Sequence, residues 1–219
     1  KMNKDNIVKK GSFLMGKIVL LDELTINQIA AGEVIERPAS VVKELIENSI
    51  DARASRIEVT LLDGGKGLIK ITDNGCGMSS EELNLAVERH ATSKLPDDNL
   101  FNIKHLGFRG EALPSIASVA KLTIVSRQKN TDYAYKIEVS GGTKSSVMPS
   151  AGNFGTSIEV RDLFYLTPAR LKFLKSAPSE TAQCVDIVNK IAIANPHISF
   201  YLYDDNKKKV ALDSCQGDF

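Results

Sequence analysis

Three polar residues are spaced so that a helix would bring them to one side. At about 100° per residue, Glu44 and Asn48 lie about 40° apart, and Asp51 falls on the same side. They border an apolar stripe formed by Val42, Leu45 and Ile46. A carboxylate and an amide oxygen at i and i+4 could activate a water molecule and bind a hard cation. Acidic residues also line the solvated face of most amphipathic helices, so an ordinary polar face remains the alternative.

The second candidate is the sequence Asp73-Asn74-Gly75-Cys76-Gly77, which follows a predicted strand over 68–72. A carboxylate at the end of a strand, followed by glycines that let a flat ligand approach the backbone, could accept a hydrogen bond from an exocyclic amine such as that of adenine. The alternative is an ordinary Asn-Gly turn.

The third candidate is a two-glycine turn that leads into a predicted helix, Gly107-Phe108-Arg109-Gly110 followed by 111–113. Free N–H groups and the positive end of the helix dipole favour an anion there, and Arg109 adds charge. A simple helix cap is the alternative. Neither the P-loop nor the dinucleotide-binding glycine signature occurs in the chain, so a nucleotide would have to be bound by another design.

The elements that would position these clusters follow from periodicity and turn residues. The predicted helices cover 22–36, 38–52, 79–90, 111–120, 170–175 and 179–194, and the predicted strands cover 56–62, 68–72, 121–127, 133–139, 144–148, 156–161, 198–204 and 209–212. The stretch 91–110 has no steady period, and connections of that length are usually functional. Helices concentrate early and strands follow in succession, which predicts an α+β fold with a mostly antiparallel mixed sheet covered by helices on one face.

Composition is that of an ordinary globular protein. The chain has 219 residues, 42% of them hydrophobic and 25% charged, and a formal net charge of +1. This excludes disordered and collagen-like classes and supplies no global field for nucleic acid. Three scattered cysteines argue against a zinc site or a disulfide framework, and no apolar run is long enough for a membrane span. We therefore expect a cytoplasmic protein with a flexible lead-in over 1–16 and one domain over 17–219.

Several strings together resemble the N-terminal ATPase region of the MutL family of DNA mismatch repair proteins. They cover 27–40, 44–52, 73–77, 89–94, 107–113 and 155–170. The wider GHKL superfamily, which includes gyrase B, Hsp90 chaperones and histidine kinases, has the E-x-x-x-N and D-x-G-x-G elements but lacks the longer strings. The resemblance implies a Bergerat-type ATPase sandwich that binds ATP and Mg²⁺.

The same resemblance assigns roles to individual positions. Glu44 would be the general base, Asn48 would bind Mg²⁺, and Asp73 would accept the adenine amine. Gly77 would allow close approach of the ligand, and Thr156 would support the contact with adenine. The remaining positions are the lid residues Thr92, Ser93 and Lys94 and the phosphate-wrapping segment Gly107, Phe108, Arg109 and Gly110.

The resemblance also has limits. Leu166 stands where the family usually has Asn, and the second domain that supplies a lysine to the γ-phosphate lies beyond this chain, so we expect weak or no turnover. The family implies repair-protein partners and dimerisation. The cations Arg161, Arg170, Lys172 and Lys175 exceed the nearby Asp162 and could contact DNA, or could form a solvated helix face. The alternatives are a non-catalytic DNA-binding or interaction module with a vestigial ATP site, and a topoisomerase or chaperone fragment.

Overall fold

Two helices begin the described part of the chain, which in this computed structural model comprises residues 20–21, 23–88 and 111–215. Helix α1 spans Glu23–Val34 and α2 spans Pro38–Asp51. Pro38 starts α2 because its fixed φ suits a first turn whose N–H has no partner within the helix. The apolar stripe of α2 faces the core, where its buried residues are Pro38, Ala39, Val41, Val42, Leu45, Ile46 and Ser49.

Nine strands form one sheet. They are β1 Arg56–Leu62, β2 Leu68–Asp73, β3 Lys121–Arg127, β4 Ala134–Ser140, β5 Thr143–Lys144, β6 Met148–Ser150, β7 Gly155–Arg161, β8 Ser199–Asp204 and β9 Lys207–Leu212. The order is β5-β4-β3-β7-β2-β1-β8-β9, and β6 also pairs with β4. Only the β1–β8 pair is parallel among these described strands. The expected mostly antiparallel mixed sheet is confirmed.

The remaining helices are α3 Ser80–Ala86, α4 Ala112–Val119, α5 Pro168–Phe173 and α6 Ala177–Ala194. Helices α3, α4 and α6 contact strands and add buried residues to the same core as α2, whereas the short α5 has no buried residue. Alternate strand residues point into this core and are buried, such as Ile57, Val59 and Leu61 of β1. Helix α1 packs against α4, and α2 packs against α6. The core therefore lies between one face of the sheet and the helices.

One predicted strand, 144–148, is wrong. The chain forms the short β5 and β6 instead, with irregular backbone between them. Ser145 explains the interruption because its Oγ accepts a hydrogen bond from the Glu138 N–H at 3.0 Å, in place of a backbone carbonyl. A serine side chain thus competes with the ladder.

Several predicted helix boundaries also need correction. The helices expected over 22–36 and 179–194 differ from the observed α1 and α6 by up to two residues at an end. The helix expected over 79–90 ends at Ala86, although Ser79 and Glu82 do form the capping box that its sequence indicates. Residues 89 and 90 lie outside the described ranges. The helix expected over 170–175 spans Pro168–Phe173, because Pro168 occupies its first turn and Leu174 is extended.

Candidate functional site

The Asp73 carboxylate lies at the inner face of the sheet, against α2. Asp73 is 7% exposed. Its Oδ1 accepts a hydrogen bond from the Gly75 N–H at 2.8 Å, and its Oδ2 accepts one from the Ser49 hydroxyl at 2.9 Å. A buried carboxyl group is thus held beneath a helix by specific hydrogen-bond donors.

Burial raises the pKa of the Asp73 carboxyl. The N–H of Gly75, the hydroxyl of Ser49 and the backbone of Thr156 lower it and offset part of that effect. The folded protein therefore carries a desolvated acceptor whose donors leave lone pairs free, since each carboxylate oxygen can accept more than one hydrogen bond. Such a group can recognise the amine of a ligand.

Glu44 and Asn48 lie on α2, on the turns that precede Ser49. Both are half-buried. The Lys43 ammonium lies 3.4 Å from a Glu44 carboxylate oxygen and 3.0 Å from Glu47. Burial lowers the pKa of Lys43, but the contacts with Glu47 and Glu44 outweigh it and raise the pKa overall. Glu44 and Asn48 therefore lie on the same helix as Ser49, whose hydroxyl bonds the Asp73 carboxylate.

Thr156 lies directly opposite Asp73 in the β2–β7 ladder. Its hydroxyl is 2.9 Å from the Ser126 hydroxyl, which also accepts the Met78 N–H at 2.8 Å. Ser126 is fully buried. A polar network therefore links the loop after Asp73 to β3 and β7, and it places Thr156 beside the carboxylate.

Gly77 has a structural requirement of its own. Its φ is +70°, and a Cβ at this position would lie 2.2 Å from the carbonyl oxygen of Arg127. The close approach at Gly77 is thus to the chain's own β3 backbone, and its role beside a ligand stays a prediction. Gly155, with a φ of +102°, is constrained in the same way, because its Cβ would lie 2.0 Å from the Asp73 carbonyl oxygen.

Asn74 points away from the carboxylate. Its Oδ1 accepts hydrogen bonds from the N–H groups of Ser55 and Arg56, both at 2.9 Å, and its Nδ2 donates to the Ser55 hydroxyl at 2.8 Å. Asn74 therefore joins the end of β2 to the start of β1. The motif divides into a structural residue, Asn74, and an acceptor, Asp73.

The remaining predicted positions lie outside the described residues. These are Thr92, Ser93, Lys94, Gly107, Phe108, Arg109 and Gly110. Within the described ranges, no three His, Cys, Asp or Glu side chains come together to hold a metal ion.

Sequence reasoning did not identify Ser49 and Ser126. The apolar periodicity of α2 and β3 could have identified both residues. Ser49 follows Leu45 by four residues and Ile46 by three, so it falls in the apolar stripe of α2. Ser126 follows Leu122 and Ile124 at the inward period of β3. A small hydroxyl at a core position indicates a buried hydrogen-bond partner.

The four cations proposed as a DNA contact do not all share one environment. Arg161 pairs with Glu159 at 2.8 Å, on the sheet face opposite the helices. Arg170 donates to the Ile35 carbonyl. Lys172 and Lys175 are exposed. Two of the four cations, Arg161 and Arg170, therefore already bind groups of this chain.

The fold and the cluster around Asp73 together define an ATPase class. Residues 35–150 match the family described as histidine kinase-, DNA gyrase B-, and HSP90-like ATPase, which is more than half of the chain. The chain belongs to this family. Within it, the similarity is to MutL: the chain is 57% identical over 201 residues to the DNA mismatch repair protein MutL of Paramagnetospirillum magneticum, covering 92% of this chain. A MutL of Rickettsia prowazekii is 55% identical over 195 residues.

Solved structures agree with this assignment. The Aquifex aeolicus MutL ATPase domain complexed with ADP superposes with a TM-score of 0.70 at 33% identity, covering 84% of this chain and 66% of that chain. The expected α+β ATPase fold is therefore confirmed, and the topoisomerase or chaperone alternative is set aside in favour of a MutL-type ATPase domain. The chain spans about a third of the length of its curated relatives, 33% for the Paramagnetospirillum protein. Among the described helices, none combines the length and apolar character needed to cross a membrane.

Proposed function

We propose that this domain binds ATP with Mg²⁺ between α2 and the sheet and hydrolyses it. The observation that carries the proposal is the buried Asp73 carboxylate, held by Ser49 on the helix that also carries Glu44 and Asn48. A desolvated acceptor, a half-buried carboxylate and an amide oxygen are the groups needed at the two ends of a nucleotide. The vestigial alternative is not favoured, because loss of Glu44 would be the simplest route to lost turnover.

Each residue has a separate task in this mechanism. Asp73 accepts the adenine amine, and guanine, which has a carbonyl there, is excluded. Asn48 binds the metal through its amide oxygen, and bound Mg²⁺ neutralises negative charge on the phosphate oxygens. Glu44 orients water and accepts its proton as the new bond to the γ-phosphorus forms and the bond to ADP breaks. Residues 92–94 and 107–110, which lie outside the described ranges, are proposed as phosphate contacts from the sequence resemblance alone.

The wider role is proposed from the relatives. Since the chain spans about a third of the length of its MutL relatives, we propose that it is the nucleotide-dependent switch of a longer repair protein. Its nucleotide state would govern dimerisation and contacts with mismatch-recognition partners and DNA. A lysine from a following domain would complete the γ-phosphate site, so turnover by this chain alone should be weak, and the protein should act in the cytoplasm.

Calorimetric titration with a non-hydrolysable ATP analogue, with and without Mg²⁺, tests the proposal. The wild type should bind, Asp73→Ala should bind at least about tenfold more weakly, and Asn48→Ala should lose most of the Mg²⁺ dependence. Absence of wild-type binding at millimolar nucleotide would refute the central claim. Unchanged Mg²⁺ dependence in Asn48→Ala would refute the metal assignment.

Asn189→Ala is the matched control, because Asn189 is an exposed helical asparagine on α6. It should leave binding and its Mg²⁺ dependence unchanged. Glu44→Ala should also keep most of its affinity, since a base acts on water in the transition state more than on the bound nucleotide. A large affinity loss with the fold intact would contradict the base role.

A further inference from the structure

The guanidinium of Arg170 crosses from α5 to the C-terminal end of α1. Its Nη2 donates a hydrogen bond to the Ile35 carbonyl oxygen, just beyond the last residue of α1. Carbonyls at a helix end lack partners in their own helix, and the negative end of the dipole favours a cation. The guanidinium also lies against Gly32, where a Cβ would be 3.8 Å from the Arg170 Cζ. Burial lowers the pKa of Arg170, and Glu36 partly offsets this.

Phe164 supports the guanidinium from the other side. The Arg170 Cζ lies 4.4 Å from the centroid of the Phe164 ring, which is fully buried. The Phe164 N–H donates to the carbonyl of Val119, the last residue of α4, at 2.8 Å. The segment from Phe164 to Arg170 therefore contacts the end of α4 through Phe164 and the end of α1 through Arg170, and α1 and α4 pack against each other.

The carbonyl that Arg170 contacts lies at the junction between α1 and α2. The next residues are Glu36 and Arg37, and α2 begins at Pro38. Arg37, which lies in this junction, donates a hydrogen bond to the Gln183 side chain on α6. The junction is therefore bonded both to α6, through Arg37, and to α5, through Arg170. These contacts fix where α2 starts.

The other end of α2 is fixed by the sheet. Ser49 bonds to Asp73, and the Ala52 carbonyl accepts the Cys76 N–H at 2.9 Å. The position of α2 on the sheet therefore depends on the contacts at both of its ends. Without the junction contact, the N-terminal part of α2 can shift while Asp73 stays on the sheet.

We propose that Arg170 is a positioning residue that locates α2, and with it Glu44 and Asn48, relative to the adenine-binding carboxylate by bonding the Ile35 carbonyl. It acts at the phosphate end of the nucleotide and leaves the adenine end unchanged. This inference rests on the proposed function, because it requires that a nucleotide bind along α2.

The test compares Mg²⁺-free ADP with the Mg²⁺-bound ATP analogue in Arg170→Gln. ADP affinity should stay within about twofold, whereas the gain in affinity given by Mg²⁺ and the γ-phosphate should fall about tenfold, the size of effect expected from a coupling network. Arg170→Lys restores charge and one donor but not the flat stacking on Phe164, so it should recover part of the gain. Lys172→Gln, an exposed cation on the same short helix, should behave as wild type.

Gly32→Leu tests the same contact without touching Arg170. Its branched side chain occupies the space of the guanidinium and should reproduce the Arg170→Gln result, whereas Gly32→Ala should bind as wild type. If both affinities fall in parallel with the melting temperature, Arg170 only stabilises the fold and the inference is wrong. Wild-type behaviour of Arg170→Gln or Gly32→Leu also overturns it. A wild type that binds no nucleotide refutes instead the proposed function.

Discussion

Replacing Asp73 by Asn separates the binding role of this residue from its structural role. The Ser49 hydroxyl lies 2.9 Å from Asp73 Oδ2 and 3.1 Å from the Leu45 carbonyl, but it has only one hydrogen to donate. In Asp73→Asn, the hydroxyl can donate to Leu45 and accept from the new amide N–H, while Oδ1 keeps the Gly75 N–H. The Ser49 hydroxyl and the Gly75 N–H therefore both keep a partner, so the free protein should be at least as stable as wild type at pH 7.

The stability difference should depend on pH in a defined direction. Because burial raises the pKa of Asp73 above its ordinary 3.8, folding favours the protonated acid. The stability that this gives is fully present below pH 3.8 and is lost as the pH rises through the higher folded pKa. Asparagine does not titrate, so the advantage of Asp73→Asn in free energy of unfolding should grow from acid to neutral pH. Urea unfolding at several pH values measures it.

Nucleotide binding should change in the opposite sense. The amide presents a donor where the adenine amine needs an acceptor, and losing a hydrogen bond to a charged group costs about 1.5–3 kcal/mol. That corresponds to roughly 10- to 150-fold weaker binding of the ATP analogue. Affinity within threefold of wild type would refute the assignment of Asp73. A loss of more than about 1 kcal/mol in stability at pH 7 would refute the hydrogen-bond argument.

Asp204→Asn is a close control. Asp204 is 8% exposed, and its Oδ2 accepts a hydrogen bond from the Thr181 hydroxyl at 2.7 Å. That hydroxyl also lies 2.9 Å from the carbonyl one turn earlier in α6, as the Ser49 hydroxyl does in α2. The two sites share burial and the bond from a helix hydroxyl, although Asp204 Oδ1 has no hydrogen-bond partner among the residues that the structure describes, whereas Asp73 Oδ1 accepts the Gly75 N–H. Asp204 is not in the proposed nucleotide site. Asp204→Asn should therefore leave nucleotide affinity unchanged.

Three further substitutions and one control variant test packing in the free protein, with denaturant unfolding as the measurement. Gly32→Ala should stabilise α1 by up to about 1 kcal/mol, since the new Cβ meets Arg170 at an ordinary contact distance; a destabilised variant would contradict this packing. Gly77→Ala should cost at least about 2 kcal/mol, because positive φ and the Arg127 carbonyl both oppose a side chain; a neutral result would refute the close approach. Ser126→Ala should cost about 1–3 kcal/mol by leaving the Met78 N–H without its acceptor, and Ser145→Ala, at an exposed turn, should cost less.

Periodicity predicted the elements well where burial alternates cleanly. Both β1 and β3 have the predicted bounds, because each alternates buried and outward residues over its full length. The errors fall where a side chain replaces a backbone group or a helix ends. Ser145 interrupts one strand, and the end of α3 follows no glycine or proline that could signal it. Such features depend on partners distant in sequence.

The same distinction separates the predicted from the missed residues of the site. Glu44 and Asn48 were found because helical spacing is local, and Asp73 because a carboxylate preceded glycines. The contact that joins them, Ser49 to Asp73, spans 24 positions and two elements. No local rule pairs a helix with a particular strand end. The sequence does contain one signal that predicts a donor beside Asp73. Asp73 continues the inward-facing series of Ile69 and Ile71, so its carboxylate had to be buried and needed a hydrogen-bond donor.

The burial of the Asp73 carboxylate also explains why several hydrogen bonds and close contacts lie around it. A buried charge destabilises the fold unless donors surround it, and those donors must be fixed to be effective. The Gly75 N–H and the Ser49 hydroxyl bond the carboxylate, and Gly155 lets β7 approach the Asp73 carbonyl. Asp204 is a buried acid bonded by a helix hydroxyl in the same way, and it lies outside the proposed nucleotide site. Burial and hydrogen bonding therefore do not by themselves assign a ligand to Asp73, and the loss of nucleotide affinity expected for Asp73→Asn, compared with Asp204→Asn, is what distinguishes the two carboxylates.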